Sequence, residues 1–493
     1  MLRKNNRIAA MKTTLSYTLL ALLATLFLHS GVAIAAKQTS GSYVAQDVTR
    51  HQALSNELAQ NLWDWAETRF HEKKSSHAMQ VILAEQGFKV DVGVADMPTA
   101  FVASYGSKDG PVIAILAEMD ALPGLSQQAQ PYKQSIDGKE AGHACGHHLF
   151  GAGSLAAALT VKNWLQQNNI QGQIRLYGTP AEEGGSGKVY MVREGLFSDV
   201  DTVLHWHPGG QNTTQPMSTL ANKTAKFRFH GIASHAAAAP EQGRSALDAV
   251  EAMNYMVNMM REHVPADTRI HYIITHGGDA PNIVPEFAEV YYYLRTPSAA
   301  DLPALWSRLE KTAQAAAMGT ETQVDWEIMS GVWSTLPNAT LAKVAHDAMD
   351  TFGGIKYSPQ EQAFADVLRT TLSKRAVKQI GNEQNIMPYT DDIYHSTAST
   401  DVGDISWNVP TAGFVTATWV PGTAPHSWQA VAAGGMSIGY KGMHLASKTL
   451  ALSAIRLFEQ PDLIQQAKTE WRGRGRVGDV QYQSQIGDRS PIL

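Results

Sequence analysis

Four short apolar runs, each followed by polar side chains, constrain the fold of this chain more than any other feature. The first, residues 112–117, is unbroken, which is typical of a strand buried on both faces. The others cover residues 173–177, 201–208 and 411–420. Because parallel strands end at one edge of a sheet, the residues that follow them should meet there. We therefore predict an α/β fold with a mixed, mostly parallel sheet and helices on both faces. The polar residues at these ends are Glu118, Asp120, Glu182, Glu183, His205, His207 and His426.

A histidine-rich loop, residues 142–151, contains Cys145, the only cysteine among 493 residues. Thiolate and imidazole groups are good ligands for Zn²⁺ and similar cations, and only Gly146 separates Cys145 from His147. On a helix these two side chains would diverge, so the glycine favours a turn in which both aim at one point. We interpret the segment as a metal-binding loop. A buried structural cysteine beside surface histidines is the alternative.

Length and charge narrow the class of protein. A chain of 493 residues, 44% hydrophobic and 17% charged, has the size and composition of an ordinary enzyme with two domains. Its net charge of −5 provides no basic field for a polyanion. Nucleic acid is therefore not expected as a partner.

The amino-terminal segment has the order of a secretory signal: basic residues, an apolar run over residues 15–28, and small residues up to Ala35. The run is short for a membrane span, although an uncleaved anchor is the alternative. We predict a signal peptide over residues 1–36, export to the periplasm, and no stable membrane association after its removal. Because an oxidising compartment favours paired cysteines, a metal would protect the unpaired Cys145.

The pattern of polar and apolar residues changes near residue 221. Residues 221–331 follow the order β-α-β-β-α-β of a ferredoxin-like unit, which we predict to be an inserted α+β lid and dimerisation domain. It interrupts a catalytic domain made of residues 37–220 and 332–465. Residues 466–493 have the composition of a polar tail with no signal for folded structure.

The predicted sheet edge collects enough ligands for two metal ions. Cys145 and His147 would be joined there by one of the two adjacent glutamates, by His205 or His207, and by His426. A carboxylate, a thiolate and three imidazoles suffice for two divalent cations, which leaves the second glutamate free as a base for a water molecule. Hydrolysis is the economical interpretation.

These residues resemble the signature of the dimetal amidohydrolases, the family of aminoacylases, N-acyl-amino-acid carboxypeptidases and auxin-conjugate hydrolases. The likeness extends over nearly the whole mature chain. In two departures, His148 stands where an aspartate commonly follows Cys-Gly-His, and Glu118 stands where other branches have a ligand histidine. The motifs that carry the resemblance are His-Ala-Cys145-Gly-His147, Ala-Glu182-Glu183-Gly, Trp-His207-Pro, Gly-x-x-x-His235-Ala-Ala and Pro-Asn282-Ile-Val-Pro.

The resemblance implies hydrolysis of the amide bond of an N-acyl or N-aroyl amino acid with two divalent ions, Mn²⁺ or Zn²⁺. It implies Glu182 as general base, Asp120 as the residue that orients a ligand, and His235 as an oxyanion-stabilising histidine, often across a dimer interface. Asn282 and Arg295 would hold the free carboxylate of the substrate. A homodimer, or a heterodimer with a homologous subunit, is expected. The implied metal ligands are Cys145, His147, Glu183, His207 and His426.

Local interpretations remain for the three residues of the inserted segment: a turn histidine, an asparagine cap and a surface arginine. Two other functions also remain open. One is a dipeptidase or carboxypeptidase of the same family, and the other is a noncatalytic protein that binds metal or ligand on a hydrolase scaffold. Glu182 in Ala-Glu-Glu-Gly favours retained catalysis.

Overall fold

The four apolar runs all form strands in the computed structural model, which describes residues 39–374, 376–475 and 481–493. The predicted signal peptide, residues 1–36, lies outside these residues. The strands are β1 (Lys89–Val92), β2 (Phe101–Gly106), β3 (Val112–Glu118), β4 (Gln173–Thr179), β5 (Thr202–Gly209), β6 (Met217–Ser218), β7 (Ala221–His230), β8 (Arg269–His276), β9 (Phe287–Thr296), β10 (Gln323–Val332), β11 (Tyr394–His395) and β12 (Thr411–Ala417).

A six-stranded sheet with the order β1-β2-β4-β3-β5-β12 forms the centre of the fold. Strands β4, β3, β5 and β12 pair in parallel, and β1 and β2 pair antiparallel at one edge. This confirms the predicted mixed, mostly parallel sheet. Glu118 at the end of β3 pairs in register with Thr179 at the end of β4. The segments that follow the parallel strands therefore leave the sheet at one edge, where the polar residues gather.

Helices pack against this sheet, and α4 is the most deeply buried of those beside the site. A Cβ on Gly151 would lie 2.8 Å from the carbonyl oxygen of Glu118, so α4 approaches β3 closely because that residue has no side chain. Among the described residues, every helix is too short or too polar to span a membrane. The helices of four or more residues are α1 (Ser40–Arg50), α2 (Gln52–Trp65), α3 (Lys73–Glu85), α4 (His147–Asn168), α5 (Glu182–Gly185), α6 (Gly187–Arg193), α7 (Ala246–Met260), α8 (Leu302–Gly319), α9 (Ala339–Phe352), α10 (Pro359–Arg369), α11 (Val402–Ser406), α12 (Trp428–Gly434), α13 (Ser437–Glu459) and α14 (Pro461–Gly475).

The segment from β7 to β10 forms a second sheet, antiparallel throughout, with the order β10-β7-β9-β8. Helices α7 and α8 share one hydrophobic core with Val290 and Leu294 of β9. Because burial alternates along β9, Tyr293 and Arg295 lie on the face away from that core. The element order matches the predicted ferredoxin-like unit. Residues Val44–Leu493 form one compact unit that contains both sheets, and the predicted domain boundaries stay predictions.

The prediction that residues 466–493 lack folded structure is wrong for the residues described there. Helix α14 covers the first part of this segment and buries Ala467. The carboxylate of Glu470 accepts a hydrogen bond of 2.7 Å from the backbone N–H of Ala339, at the start of α9. Further on, Ile486 is buried. Polar side chains that cap a distant helix produce no hydropathy pattern, which is why the sequence did not indicate this packing.

Candidate metal centre

The Cys145 loop is a tight turn, as its glycine predicted. Gly146 has φ of 79°, in the left-handed region that favours glycine, and it directly precedes α4, which begins at His147. A Cβ on Gly146 would also lie 2.6 Å from Cβ of Pro208. The loop and the end of β5 therefore approach each other closely, which brings Cys145 beside His207.

Three groups of potential ligand atoms lie at this edge of the sheet, each with its atoms within 4.8 Å of one another. The first two groups share the thiol sulfur of Cys145. In the first group Sγ of Cys145 lies 3.4 Å from Nε2 of His207, and in the second Nε2 of His426 lies 3.1 Å from Oε1 of Glu183. Together these two groups contain all five predicted metal ligands. The groups are Cys145, His147 and His207; Cys145, Glu183 and His426; and Glu118, His147 and Glu182.

The chemistry of these atoms fits a cation. Nε2 of His147 lies 3.0 Å from Oε2 of Glu118, yet both atoms, and Oε1 of Glu183, are buried without a hydrogen-bond partner among the described residues. Burial raises the pKa of the Cys145 thiol, so a thiolate at this position needs a nearby positive charge. Unpartnered buried acceptors facing a common point are the arrangement expected at a metal site.

Asp120 connects two of the predicted ligands. Its Oδ1 accepts a hydrogen bond from Nδ1 of His147 at 2.9 Å, and its Oδ2 accepts one from the backbone N–H of Glu183 at 2.8 Å. Donation from Nδ1 leaves Nε2 of His147 as the free lone pair. This contact pattern is the orienting arrangement expected of Asp120.

The two histidines of β5 occupy different environments. Nδ1 of His207 bonds the carbonyl oxygen of Pro208 at 2.8 Å, which leaves Nε2 free to act as a ligand. His205 lies two residues deeper in the strand, with its ring against Gly413 of β12. It belongs to none of the three ligand groups within the described part of the chain.

Lys188 is a buried lysine that the sequence did not single out. Its Nζ lies 2.7 Å from Oε1 of Glu118 and 2.7 Å from Oδ1 of Asp401. Burial would raise the pKa of Glu118, but the ammonium of Lys188 and the imidazole of His147 outweigh it and lower that pKa to about 2. Lys188 thus keeps two acidic groups charged behind the candidate site. Its only sequence signal is a lysine within a glycine-rich turn that follows a strand.

The turn that carries Glu182 and Glu183 is bounded by unusual backbone. Ala181 and Ser186 have φ of 58° and 60°, and His426, across the site, has φ of 57°. Left-handed backbone at a non-glycine residue costs about 1–3 kcal/mol and persists where surrounding contacts enforce it. One such contact is the backbone N–H of Ala181, which donates to a buried carboxylate oxygen of Glu72 at 2.8 Å. Sequence patterns contain no signal for this strain.

A family model for the peptidase family M20/M25/M40 matches residues 114–427. The chain is also 42% identical to one of the subunits of p-aminobenzoyl-glutamate hydrolase from Escherichia coli strain K12, over 84% of this chain and 91% of that protein. The chain belongs to the M20/M25/M40 peptidase family. As a member of this family it is a metal-dependent amidohydrolase, which confirms the predicted enzyme class.

Two solved structures share the fold of this family member. One is an aminobenzoyl-glutamate utilization protein from Klebsiella pneumoniae, with a TM-score of 0.58 and 18% identity, covering 83% of this chain and 97% of that one. The other is a dinuclear metal-binding peptidase of Bacillus subtilis, with a TM-score of 0.57 and 17% identity, covering 83% and 99%. At these identities the likeness concerns the fold.

His148, which replaces the aspartate common in this family, points away from the ligand groups. Its Nε2 bonds the carbonyl oxygen of Gly434 at 3.0 Å, and its ring centroid lies 4.8 Å from that of His143. Burial lowers the pKa of His148 to about 3, so this imidazole is neutral and acts as a hydrogen-bond donor. The orientation of His147 therefore depends on Asp120, not on residue 148.

The inserted-domain residues do not meet in one chain of this M20 enzyme. His235 and Asn282 lie close together, since the backbone N–H of Ala236 donates to the carbonyl oxygen of Asn282 at 3.0 Å. Arg295 lies near the opposite end of β9, roughly 26 Å beyond Phe287 at the usual rise per residue. The expectation that Asn282 and Arg295 hold one carboxylate is therefore wrong within a single chain, because one strand separates them.

The end of the second sheet near Arg295 is the end that contacts the turn of Glu182. Oγ of Ser186 lies 2.7 Å from Oγ of Ser330 in β10, and Ser330 pairs in register with Thr224 of β7. Thr224 in turn pairs with Tyr293 of β9. Of the three predicted residues of the inserted segment, Arg295 is thus the one on the strand end beside the candidate metal centre.

Proposed function

We propose that this enzyme hydrolyses the amide bond of an N-acyl or N-aroyl amino acid, of the p-aminobenzoyl-glutamate type. The supporting observation is the clustering of five ligand side chains with one extra glutamate, Glu182, in the adjoining group of potential ligands. The likeness to the Escherichia coli p-aminobenzoyl-glutamate hydrolase protein over most of both chains supports the same substrate class.

The proposed ligand set holds two divalent ions, with the thiolate of Cys145 shared between them. A donor set of one thiolate, three imidazoles and one carboxylate suits Zn²⁺, and its imidazole and carboxylate groups also suit Mn²⁺. Such ions would polarise the amide carbonyl and make a water molecule more acidic. Metal analysis of the purified protein, followed by reconstitution with each ion, decides between the two.

Glu182 is the proposed general base. It takes a proton from the attacking water and delivers it to the departing amine, which is the usual exchange of roles in amide hydrolysis. Burial, then the negative charges of Glu118, Glu183 and Asp401, raise the pKa of Glu182. A carboxylate with a raised pKa is a stronger base than an exposed one, which suits proton transfer near neutral pH.

Arg295 is the proposed partner of the substrate carboxylate. It lies on the open face of the second sheet, and its Nε is buried without a hydrogen-bond partner among the described residues. A guanidinium can bind a carboxylate through two parallel hydrogen bonds. The test compares hydrolysis of an N-aroyl amino acid with that of its α-carboxamide. Equal rates for the two compounds would refute carboxylate recognition.

A second protomer is proposed to complete the site. His235 and Asn282 lie at the far end of the second sheet, so the copies that act at one metal centre would come from a homologous protein or a second copy of this chain. The edge strand β8 exposes Ile273 and Ile274, and the adjacent helix α7 exposes Tyr255. An exposed apolar sheet edge is a common surface for pairing between chains.

Mixed dimers test this arrangement. Glu182→Gln and His235→Ala chains are each expected to be inactive alone, as one lacks the base and the other the oxyanion histidine. After unfolding and refolding together, mixed dimers would contain one site with both residues intact. Random mixing then restores roughly a quarter of wild-type activity. Absence of any restored activity in refolded dimers would show that His235 acts within its own chain, or not at all.

We also propose export to the periplasm, supported by the order of charged, apolar and small residues in residues 1–36. Cell fractionation combined with sequencing of the mature amino terminus tests this. A cytoplasmic protein that retains residues 1–36 would contradict it.

A further inference from the structure

Arg69 is an exposed arginine whose guanidinium lies against the turn of Glu182 and Glu183. A Cβ on Gly184 would lie 2.8 Å from Nη1 of Arg69, so the missing side chain at position 184 leaves room for the guanidinium. The next residue, Phe70, is buried and has φ of 62°. Its buried ring anchors the strained backbone from which Arg69 extends. Within the described ranges, the Arg69 side chain makes no hydrogen bond or ion pair.

Arg69 and Arg295 approach the same tyrosine from two different parts of the fold. The Arg295 guanidinium carbon lies 5.7 Å from the ring centroid of Tyr293. Burial raises the pKa of Tyr293, and the positive charges of Arg295 and Arg69 both oppose that rise. Tyr293 is also tied in register to Thr224 and Ser330, and so to the turn that Arg69 contacts.

Neither guanidinium has an acidic partner among the residues that the structure describes. This is unusual beside a site with several carboxylates, because an arginine near an acidic group normally pairs with it. Two unpaired cations near one phenol also repel each other, and an anion between them removes that cost. The pair therefore matches a ligand with two negative groups more closely than a ligand with one.

We propose that Arg69 binds the side-chain carboxylate of an acidic amino acid in the substrate while Arg295 binds its α-carboxylate. The inference rests on the proposed function and narrows it, from N-acyl amino acids in general to conjugates of dicarboxylic amino acids. Glutamate and aspartate are the residues of that class. The exposure of Arg69 agrees with this role, since the outer end of a substrate side chain lies farther from the scissile bond than the α-carboxylate does.

The test measures ligand binding, which can be read whether or not the proposed reaction occurs. N-benzylglutamate and N-benzylglutamine carry an amine in place of the scissile amide and differ only in the side-chain charge. Both are titrated calorimetrically into the metal-loaded wild-type protein and its variants. Wild type is expected to bind the glutamate compound about 10- to 100-fold more tightly than the glutamine compound, because a charge-assisted pair replaces a neutral contact.

Three substitutions at Arg69 and one control separate charge from structure. Arg69→Ala and Arg69→Gln should bring the two dissociation constants to within about twofold, and Arg69→Lys should keep part of the preference through its charge. Arg308→Ala is the matched control. Arg308 is a partly exposed arginine of α8 that donates to the carbonyl oxygen of His263 at 2.7 Å, and its loss should leave the preference unchanged.

Equal binding of the two compounds by wild type, or an unchanged preference in both Arg69→Ala and Arg69→Gln, overturns the inference. Failure of the proposed function would look different. The wild-type enzyme, loaded with metal, would then hydrolyse no N-aroyl amino acid, while the Arg69-dependent preference in binding persisted.

Discussion

Asp120 and His147 form a fully buried pair, with Oδ1 of the carboxylate 2.9 Å from Nδ1 of the imidazole. The pair fixes which ring nitrogen carries the proton and which one faces the ligand group. The same carboxylate also holds the backbone N–H of Glu183. One residue that belongs to none of the three ligand groups therefore orients parts of two of them.

Asp120→Ala should weaken metal binding by about 10- to 100-fold, because the His147 ring and the Glu183 backbone both lose their orienting partner. Competition with a chelator of known affinity measures the change. Asp350→Ala, at an exposed position of α9, is the control and should have no effect. Wild-type metal affinity in the Asp120 variant would show that the orientation of these groups does not depend on that carboxylate.

Cys145→Ala should lose bound metal and activity while the fold persists. The thiol belongs to both ligand groups that contain the predicted ligands, and it lies in a loop at the sheet edge. Elemental analysis and circular dichroism, recorded on the same preparation, measure the two properties. Full metal content with normal turnover would refute the assignment of Cys145 as a ligand.

Glu182→Gln should retain metal and lose turnover by about 10²- to 10⁴-fold, since an amide cannot accept the proton of the attacking water. Glu183→Gln should instead release metal, because Oε1 of Glu183 belongs to the second ligand group beside His426. Each variant is the control for the other. An equal loss of metal in both would mean that the two roles are assigned wrongly.

Asp404 makes stability depend on pH at a position remote from the proposed ligands. Burial raises its pKa to about 8 from an ordinary value of 3.8, and the side chain accepts hydrogen bonds from Trp333 N–H and Tyr482 O–H. The folded state thus keeps a proton that the unfolded state releases above about pH 4. The contribution of Asp404 to stability is therefore present below that pH and is lost as pH rises towards 8.

Asp404→Asn removes this ionisation. The free energy of unfolding of wild type should fall, relative to the variant, by up to about 1.4 kcal/mol per pH unit between roughly pH 5 and 8. Denaturant unfolding across this range measures the difference. Asp350→Asn, at an exposed position, should follow wild type. Parallel pH profiles for wild type and Asp404→Asn would contradict the raised pKa.

Local patterns in the sequence were sufficient for much of the fold. Residues 112–117 show an unbroken apolar run, and they form a central strand with no exposed residue. The order of elements over residues 221–331 predicted the second sheet and its two helices. The ligand candidates were also evident, because cysteine, histidine and glutamate at strand ends combine metal-binding chemistry with a position that few residues occupy.

Tertiary structure decided the rest. His205 and His207 face the same side of β5, and only the approach of the Cys145 loop to Pro208 selects His207. Lys188 gained its role from two acids distant in sequence. Hydropathy and side-chain chemistry are set within a few residues, so sequence alone determined the elements and the candidate ligands. Strand order and register determine distances between remote residues, so only the folded chain could separate Asn282 from Arg295 and bring Arg69 to the metal-binding turn.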